Sequence, residues 1–339
     1  MTHTIVGLPG DGIGPEIFAA MQAVLAAAGV DIVWHEHELA GANGLLNPEA
    51  VTAIEKTFVA IKGPTGTPLG EGHRSYNVQL REAFQLFANV RPIRTLPGIQ
   101  KPGMRDDVDL VIFRENLEDL YIGEECSIDG GAEAISRITH KGSERITQFA
   151  AWYMIGNGRS QIVVGAKSNI LKKTHGLFQE VCMRVLEGEG IDVKHVIPDA
   201  LAAQLVARPE AFDCIVLPNF LGDLFSDMCA TFMGGLGVAP GANIGASHAV
   251  FEAVHGTAPD IAGKGVANPT ALILSSCMML EHIGETSAAK RIRLAIDAVY
   301  TKGDNLTGDM AQKGAAAATT TMFTQALCEE ILRAEAKAA

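Results

Sequence analysis

The chain predicts an α/β fold with a largely parallel central sheet, and two observations carry that prediction. Short β-rich runs alternate with helical patterns through most of the sequence, and 339 residues with 47% hydrophobic content can bury a large core. Length alone suggests about two domains. The expected strands lie at 4–8, 32–34, 108–113, 161–164, 193–197 and 214–217, with helical stretches between them. After Asn219 the pattern tilts toward helices, ending in 269–282, 286–300 and 321–334. No repeat or low-complexity tract interrupts it, although 234–245 is glycine-rich and 314–321 is made of small residues.

Composition excludes some function classes. Net charge is −12 with a pI near 5.3, and no Lys/Arg-rich block breaks that balance, which argues against extended nucleic-acid binding. The six cysteines (126, 182, 214, 229, 277 and 328) show no C-x-x-C spacing and sit mostly in apolar runs, which suits reduced, buried thiols. No basic and apolar leader precedes the first strand, and no apolar run approaches the roughly 18 residues of a membrane span. A soluble cytoplasmic protein is expected, or a mitochondrial matrix protein if a transit peptide is missing from this numbering.

The N-terminal GLPGDGIGPE places Gly10, Gly12 and Gly14 between a strand and a helix. The spacing G-x-G-x-G is not the dinucleotide fingerprint G-x-G-x-x-G, and a strand-to-helix turn with Pro15 at the first helical position explains it as well. Next comes KGPTGTPLGEGHRSYNVQLREAFQLFANVRP, residues 62–92, with Arg81 and Arg91 near a helix that opens at Ser75, Tyr76 and Asn77. Guanidinium forks match carboxylates, and Ser75 and Asn77 add neutral donors where a helix start already favours an anion. Singly, Arg81 would be a solvated helix residue, Arg91 a loop charge and Ser75 a plain N-cap. DLVIFREN then delivers Arg114 at the end of an apolar strand, and three converging arginines imply a multiply charged anion.

Further along, Tyr121 lies seven residues beyond Arg114, with a packing tyrosine as the plainer alternative. Lys167 follows one strand and precedes a helix, a better catalytic position than Lys172 or Lys173, though a solvated loop lysine would look the same. Asp223 and Asp227, in NFLGDLFSDMCATFMGG, share one helix face near a strand's carboxyl end. Two hard oxygen donors there suit Mg²⁺ or Mn²⁺, and the apolar neighbours Leu224, Phe225 and Met228 make an accidental pair less attractive. The plainer alternative is one helix cap and one solvated carboxylate. FEAVHGTAPDIAGKGVANP, residues 251–269, reads from spacing only as a polar loop that could contact a nucleotide.

Taken together, PGDGIGPE, KGPTGTP, RSYNVQLR, NVRP, REN, Lys167 to Asn169, NFLGDLFSD and VHGTAPDIAGKGVANP resemble the isocitrate/isopropylmalate dehydrogenase family, the metal-dependent β-decarboxylating dehydrogenases. The resemblance covers nearly the whole chain and implies that family's two-domain fold rather than a Rossmann fold. Residues 1–87 and 234–339 would form the large domain and 88–233 the small one, with a dimer clasp near 119–139. By resemblance Arg81, Arg91 and Arg114 bind substrate carboxylates, and Ser75 and Asn77 meet the γ-carboxylate arm. Tyr121 and Lys167 are the acid–base pair, and Asp199, Asp223 and Asp227 hold Mg²⁺ or Mn²⁺. Lys167 and Asp199 would come from the second subunit of a homodimer, itself free to form a higher oligomer.

By the same resemblance, the S-x-N pattern, Ser75-Tyr76-Asn77, implies isocitrate. Homoisocitrate, 3-isopropylmalate and tartrate are the alternatives on the same scaffold, and a non-catalytic regulatory subunit is the alternative of another class. NAD is the implied cofactor, because Asp260 and Ile261, with Gly308 and Gln312 beyond, stand where NADP enzymes of this resemblance carry phosphate partners. Glu252, His255, Gly256 and Asn268 complete the implied cofactor set. RENLEDLYIGEE and the short SIDGGAEAISRITHKG depart from the commoner family pattern at the clasp.

Overall fold

The computed structural model describes residues 2–66, 74–312 and 314–338; Thr67 and Pro68 of KGPTGTP lie outside them. The chain opens with β1 (His3–Leu8), α1 (Gly14–Ala27), β2 (Ile32–Glu36), α2 (Pro48–Thr57) and β3 (Val59–Lys62), then α3 (Tyr76–Ala83), β4 (Ala88–Arg94) and β5 (Asp109–Glu115). A hairpin follows, β6 (Glu125–Ile128) and β7 (Gly131–Ala134), and then α4 (His140–Gly156), β8 (Gln161–Gly165), α5 (Thr174–Gly188) and β9 (Asp192–Val196). The remainder is α6 (Pro198–Ala207), β10 (Cys214–Leu217), α7 (Asn219–Ala230), β11 (Pro240–Ile244), β12 (Ala249–Ala253), α8 (Thr270–His282), α9 (Thr286–Lys302) and α10 (Thr320–Ala338). All six expected strands and the three closing helices are present within a few residues of their expected ends.

Ten strands form one sheet in the order β2-β1-β3-β12-β11-β4-β5-β10-β8-β9. Both flanks are parallel, as expected, while β12-β11, β11-β4 and β4-β5 in the middle are antiparallel. The middle strands β4 and β11 carry Pro, Asn and Gly, which is why periodicity did not announce them. α8 is buried almost all round, consistent with TALILSSCMML having no polar face, and it packs on β11 and β12. No helix among the described residues is long and apolar enough to cross a membrane.

The glycine motif has a packing role. A Cβ at Gly10 would lie 2.2 Å from the Pro64 carbonyl oxygen, and one at Gly12 would lie 2.1 Å from that of Thr257. The turn donates from Asp11 N to Pro64 O and from Ile13 N to Thr257 O, while Glu16 accepts from Gly265 N and Ala267 N. PGDGIGPE therefore fastens two loops, 63–66 and 254–268, against the start of α1, and Pro15 is the second residue of that helix, one beyond the expected first position.

Candidate active site

Alternation along the middle strands puts one set of polar side chains on one sheet face. Arg91 and Asn89 are two apart on β4, Arg114 lies opposite Asn89 on β5, and Glu252 of β12 pairs in register with Lys62 of β3. Arg81 comes down from the last turn of α3. Exposure of Arg81, Arg91 and Arg114 is 8%, 4% and 1%, so the solvated-helix and loop-charge readings of the first two fail, and Arg91 belongs to a strand.

A buried arginine needs anions. Glu252 supplies one: Oε2 accepts from Lys62 Nζ at 2.7 Å, and Oε1 accepts from Asn243 Nδ2 at 2.7 Å and Arg81 Nη2 at 3.4 Å. Burial alone would raise its carboxyl, but Lys62, Arg81 and Asn243 hold it well below the usual range. Glu252 was expected at the cofactor; in this structure both its oxygens are engaged by the chain itself. Even so, Arg81 Nε, Arg91 Nη1 and Arg114 Nη2 are buried with no hydrogen-bond partner among the described residues, as is Asn77 Oδ1, and Arg91 Nη1 has only the long approach of Asp227 at 3.8 Å. Burial, followed by the charges of Arg81 and Arg91 acting against that of Asp223, pulls Arg114 down to about 10, and burial likewise lowers Arg91. These are cationic donors held close together and short of acceptors, which is what a polyanionic ligand supplies. Ser75 precedes α3 but makes no side-chain cap bond, so its hydroxyl is not committed to the helix.

The aspartates sit on α7 where expected. Asp223 accepts from Arg114 Nη1 and from the Tyr121 hydroxyl, and Asp227 Oδ1 lies 3.8 Å from Arg91 Nη1. Asp223 is therefore no helix cap. The approach of α7 depends on Gly222, whose Cβ would stand 2.5 Å from Arg114 Cγ. Arg114 also lies over the Tyr121 ring, 4.9 Å from its centroid, and donates from Nε to Asn219 Oδ1 at 2.9 Å. Burial first, then the bond to Asp223, raises the Tyr121 hydroxyl above its ordinary range and keeps it protonated at neutral pH. Burial, with Asp223 nearby, raises the Asp227 carboxyl against the pull of Arg91. Two adjacent carboxylates, one of them protonating more readily than usual, fit a hard divalent cation that would draw both into the ionised form. Of the apolar neighbours, Phe225 is buried, whereas Leu224 is 53% exposed and does not shield the pair in the single chain.

Lys167 and Asp199 stand apart. Lys167 follows β8, Asp199 lies in the first turn of α6, and their side chains pair at 2.5 Å near the surface. That pairing holds the Asp199 carboxyl below its usual range. Among the described residues no three His, Cys, Asp or Glu side chains come together as a metal site, so Asp199 does not join Asp223 and Asp227 within one chain.

The 254–268 loop holds the remaining residues. His255 Nδ1 lies 3.0 Å from the Gly256 carbonyl oxygen, and its buried Nε2 has no partner among the described residues; burial lowers its pKa and keeps it neutral. Asp260 is exposed, and Ile261 packs partly on the core. Asn268 is engaged at both ends, donating to Asp309 at 2.9 Å and accepting from Thr270 N at 3.0 Å at the start of α8. Sequence reasoning overlooked Lys62, Asn89, Asn219 and Asn243. The i, i+2 spacing of Asn89 and Arg91 was the one available signal for any of them.

The model of the isocitrate/isopropylmalate dehydrogenase family matches residues 4–329. The chain is 42% identical over 337 residues to "Isocitrate dehydrogenase [NAD] subunit alpha, mitochondrial" of Macaca fascicularis, covering 97% of this chain and 95% of that one. It is 42% identical to the Arabidopsis thaliana "Isocitrate dehydrogenase [NAD] catalytic subunit 5, mitochondrial", covering 95% and 87%. The crystal structure of isocitrate dehydrogenase from Methylococcus capsulatus superposes with a TM-score of 0.91 at 43% identity, covering 97% of this chain and 99% of that one.

Proposed function

Because this chain belongs to the isocitrate/isopropylmalate dehydrogenase family, we propose that its buried arginine cluster receives isocitrate. The enzyme oxidises it with NAD⁺ and releases 2-oxoglutarate, CO₂ and NADH. The observation that carries the reading is the set of buried guanidinium nitrogens on Arg81, Arg91 and Arg114 that lack a hydrogen-bond partner among the described residues, with Ser75 and Asn77 at the start of the helix that carries Arg81. Charge supports it as well. Lys62, Arg81, Arg91 and Arg114 face Glu252, Asp223 and Asp227, an excess of one positive charge, which a tricarboxylate together with a divalent cation would balance.

Within that reading each side chain has a task. The arginines fix the carboxylates, and Ser75 and Asn77 reward the γ-carboxylate arm that 3-isopropylmalate lacks. Asp223 and Asp227 would hold Mg²⁺ or Mn²⁺, which when bound acidifies the carbinol hydroxyl and offsets the charge that develops as CO₂ departs. NAD⁺ accepts the hydride from the carbinol carbon. Lys167, through water, takes the hydroxyl proton, and Tyr121 returns a proton to the carbon that loses CO₂, a role suited to a hydroxyl kept protonated. Lys167 and Asp199 would be supplied by a second copy, in keeping with their separation from Asp223 in one chain. The division into 1–87 with 234–339 against 88–233, and a clasp centred on the exposed β6–β7 hairpin, belong to the same proposal.

For the cofactor, an exposed Asp260 beside Ile261 favours free ribose hydroxyls, since a 2′-phosphate would set roughly −1.5 to −2 charges against the carboxylate. His255 and Asn268 would take the adenine end. The test is an absorbance assay of purified enzyme with Mn²⁺, each candidate acid and each nicotinamide cofactor. Isocitrate with NAD⁺ should give the highest kcat/KM; a higher value with 3-isopropylmalate, or with NADP⁺, would refute the substrate or the cofactor assignment respectively.

A further inference from the structure

We propose that Asn243 is a positioning residue that sets two of the substrate-binding arginines at once, through a buried relay of amides running from Arg91 to Glu252 and Arg81. The inference rests on the reading of this site as an isocitrate receptor.

Asn243 sits on β11 with Asn89 of β4 opposite it, and Asn89 in turn lies opposite Arg114 of β5. Asn89, Asn116 and Asn243 are all buried. Asn243 Oδ1 accepts from Asn89 Nδ2 at 2.8 Å and from Asn116 Nδ2 at 2.9 Å, so both lone pairs are used. Its Nδ2 donates to Glu252 Oε1 at 2.7 Å and to Val250 O at 3.4 Å, so both hydrogens are used too. The amide has one orientation. Flipping it would set its N–H groups against those of Asn89 and Asn116, and its oxygen against the Glu252 carboxylate.

From this hub the geometry runs outward in two arms. With its Nδ2 committed to Asn243, Asn89 presents its oxygen to Arg91 Nε at 2.6 Å. Arg91 is thereby gripped from behind, and its buried Nη1 makes no hydrogen bond among the described residues, with Asp227 Oδ1 3.8 Å away. On the other arm Glu252 Oε1 receives both Asn243 and Arg81 Nη2, while Lys62 holds Oε2. Rotation of the Asn243 amide would release Asn89 and Glu252 together, and with them the aim of Arg91 and Arg81.

Fold stability does not account for this arrangement. Three buried amides on a sheet with an otherwise aliphatic core add little over apolar residues of the same shape, and such networks are costly when incomplete. What they contribute that Val or Leu could not is direction for two guanidinium groups. Aspartate at 243 would set a second carboxylate beside Glu252, and leucine would orphan two N–H groups.

The experiment is steady-state kinetics on the full-length enzyme with Mn²⁺ and NAD⁺, comparing Asn243→Leu, Asn89→Leu, the double variant and Asn243→Asp, each with a thermal melt. Each leucine variant should raise KM for isocitrate by about tenfold with a smaller fall in kcat, and the double variant should be no worse than the poorer single one, as expected of links in one chain. In Asn243→Asp the new carboxyl, when protonated, can donate to Glu252 and accept from Asn89 as the amide does. Its KM should therefore approach the wild-type value at low pH and climb as pH rises. A folded Asn243→Leu with KM within about twofold of wild type, or leucine effects that simply multiply, would overturn the proposal. If Asn243→Leu does not fold, a KM ratio of Asn243→Asp to wild type that is flat with pH overturns it. A wild-type enzyme inert toward isocitrate would instead sink the substrate reading.

Discussion

Asp223 accepts at once from Arg114, the proposed reader of the substrate, and from Tyr121, the proposed proton donor, and on the same proposal its carboxylate would also face a divalent cation. Asp223→Asn keeps the shape and removes the charge. We expect kcat/KM to fall by at least about 100-fold while the melting temperature moves by only a few degrees, since the side chain is a third exposed and its ion pair is screened. Near-normal turnover at saturating Mn²⁺ would refute the metal assignment. A second residue tests electrostatics away from the chemistry. Burial, with Glu118 adding to it, raises the Glu115 carboxyl to about 7, against the pull of the Glu118 and Leu117 N–H groups and Arg145. A carboxyl whose folded pKa is raised contributes stability that is complete below pH 4.5 and is lost as pH climbs to about 7, up to about 3 kcal/mol. Glu115→Gln should accordingly shrink the drop in melting temperature between pH 5 and pH 8; an unchanged drop would show that Glu115 does not titrate there. At this scale the arginines and the Asp223–Asp227 pair were legible, because carboxylate chemistry demands those residue types. Lys62 and Asn243 were not, because only the strand register reveals that they share a face with Arg91.

Among the elements, those with strong periodicity, β5 and β10 included, were legible, and β4 and β11 in the middle of the sheet were not. β10, CIVL, reads as a buried strand at once, whereas β4 and β11 carry Asn, Pro and Gly because polar side chains must leave one sheet face and backbone must pass close to guanidinium groups. A Cβ at Gly241 would come within 3.3 Å of Arg91 Nε. The glycine of NFLGD follows the same logic and supplies the test at this scale. Gly222 lets α7 rest on Arg114, and its missing Cβ would stand 3.1 Å from Arg114 Cα as well as 2.5 Å from Cγ, so the strand's own backbone blocks any easy escape. Gly222→Ala should destabilise the protein by about 1 to 3 kcal/mol and raise KM for isocitrate as Arg114 is pushed aside. Overpacking elsewhere in α7 would cost stability alone; a variant that melts earlier but keeps its KM would show that α7 does not set Arg114.

For the whole molecule, parallel pairing of β5, β10, β8 and β9 brings the carboxyl ends of these strands to one sheet edge, so Arg114, the start of α7 and Lys167 all lie along it. Yet among the described residues Lys167 and Asp199 pair with each other, and no third His, Cys, Asp or Glu side chain joins Asp223 and Asp227. A two-fold assembly resolves this if each copy lends Lys167 and Asp199 to the other's cluster, since symmetry then completes two sites with no further residue. Folded hydrophobic surface agrees with such a contact: Val206 on α6 and Phe220 and Leu224 on α7 are exposed in the single chain. The arrangement makes a prediction that no single-chain site can match. Lys167→Met and Asp223→Asn should each be inactive as pure assemblies, because every site in them lacks one partner. In a mixed dimer, the Lys167→Met copy keeps its own Asp223 and borrows an intact Lys167 from the other, so one of its two sites is whole while the second carries both defects. Random exchange of equal amounts makes half of the dimers mixed, and about a quarter of wild-type activity should return, with KM for isocitrate unaltered. Exchange can be followed independently by mass spectrometry of differently tagged copies. Mixed dimers without recovered activity would mean that Lys167 serves the cluster of its own chain and that the chain must rearrange to bring it there.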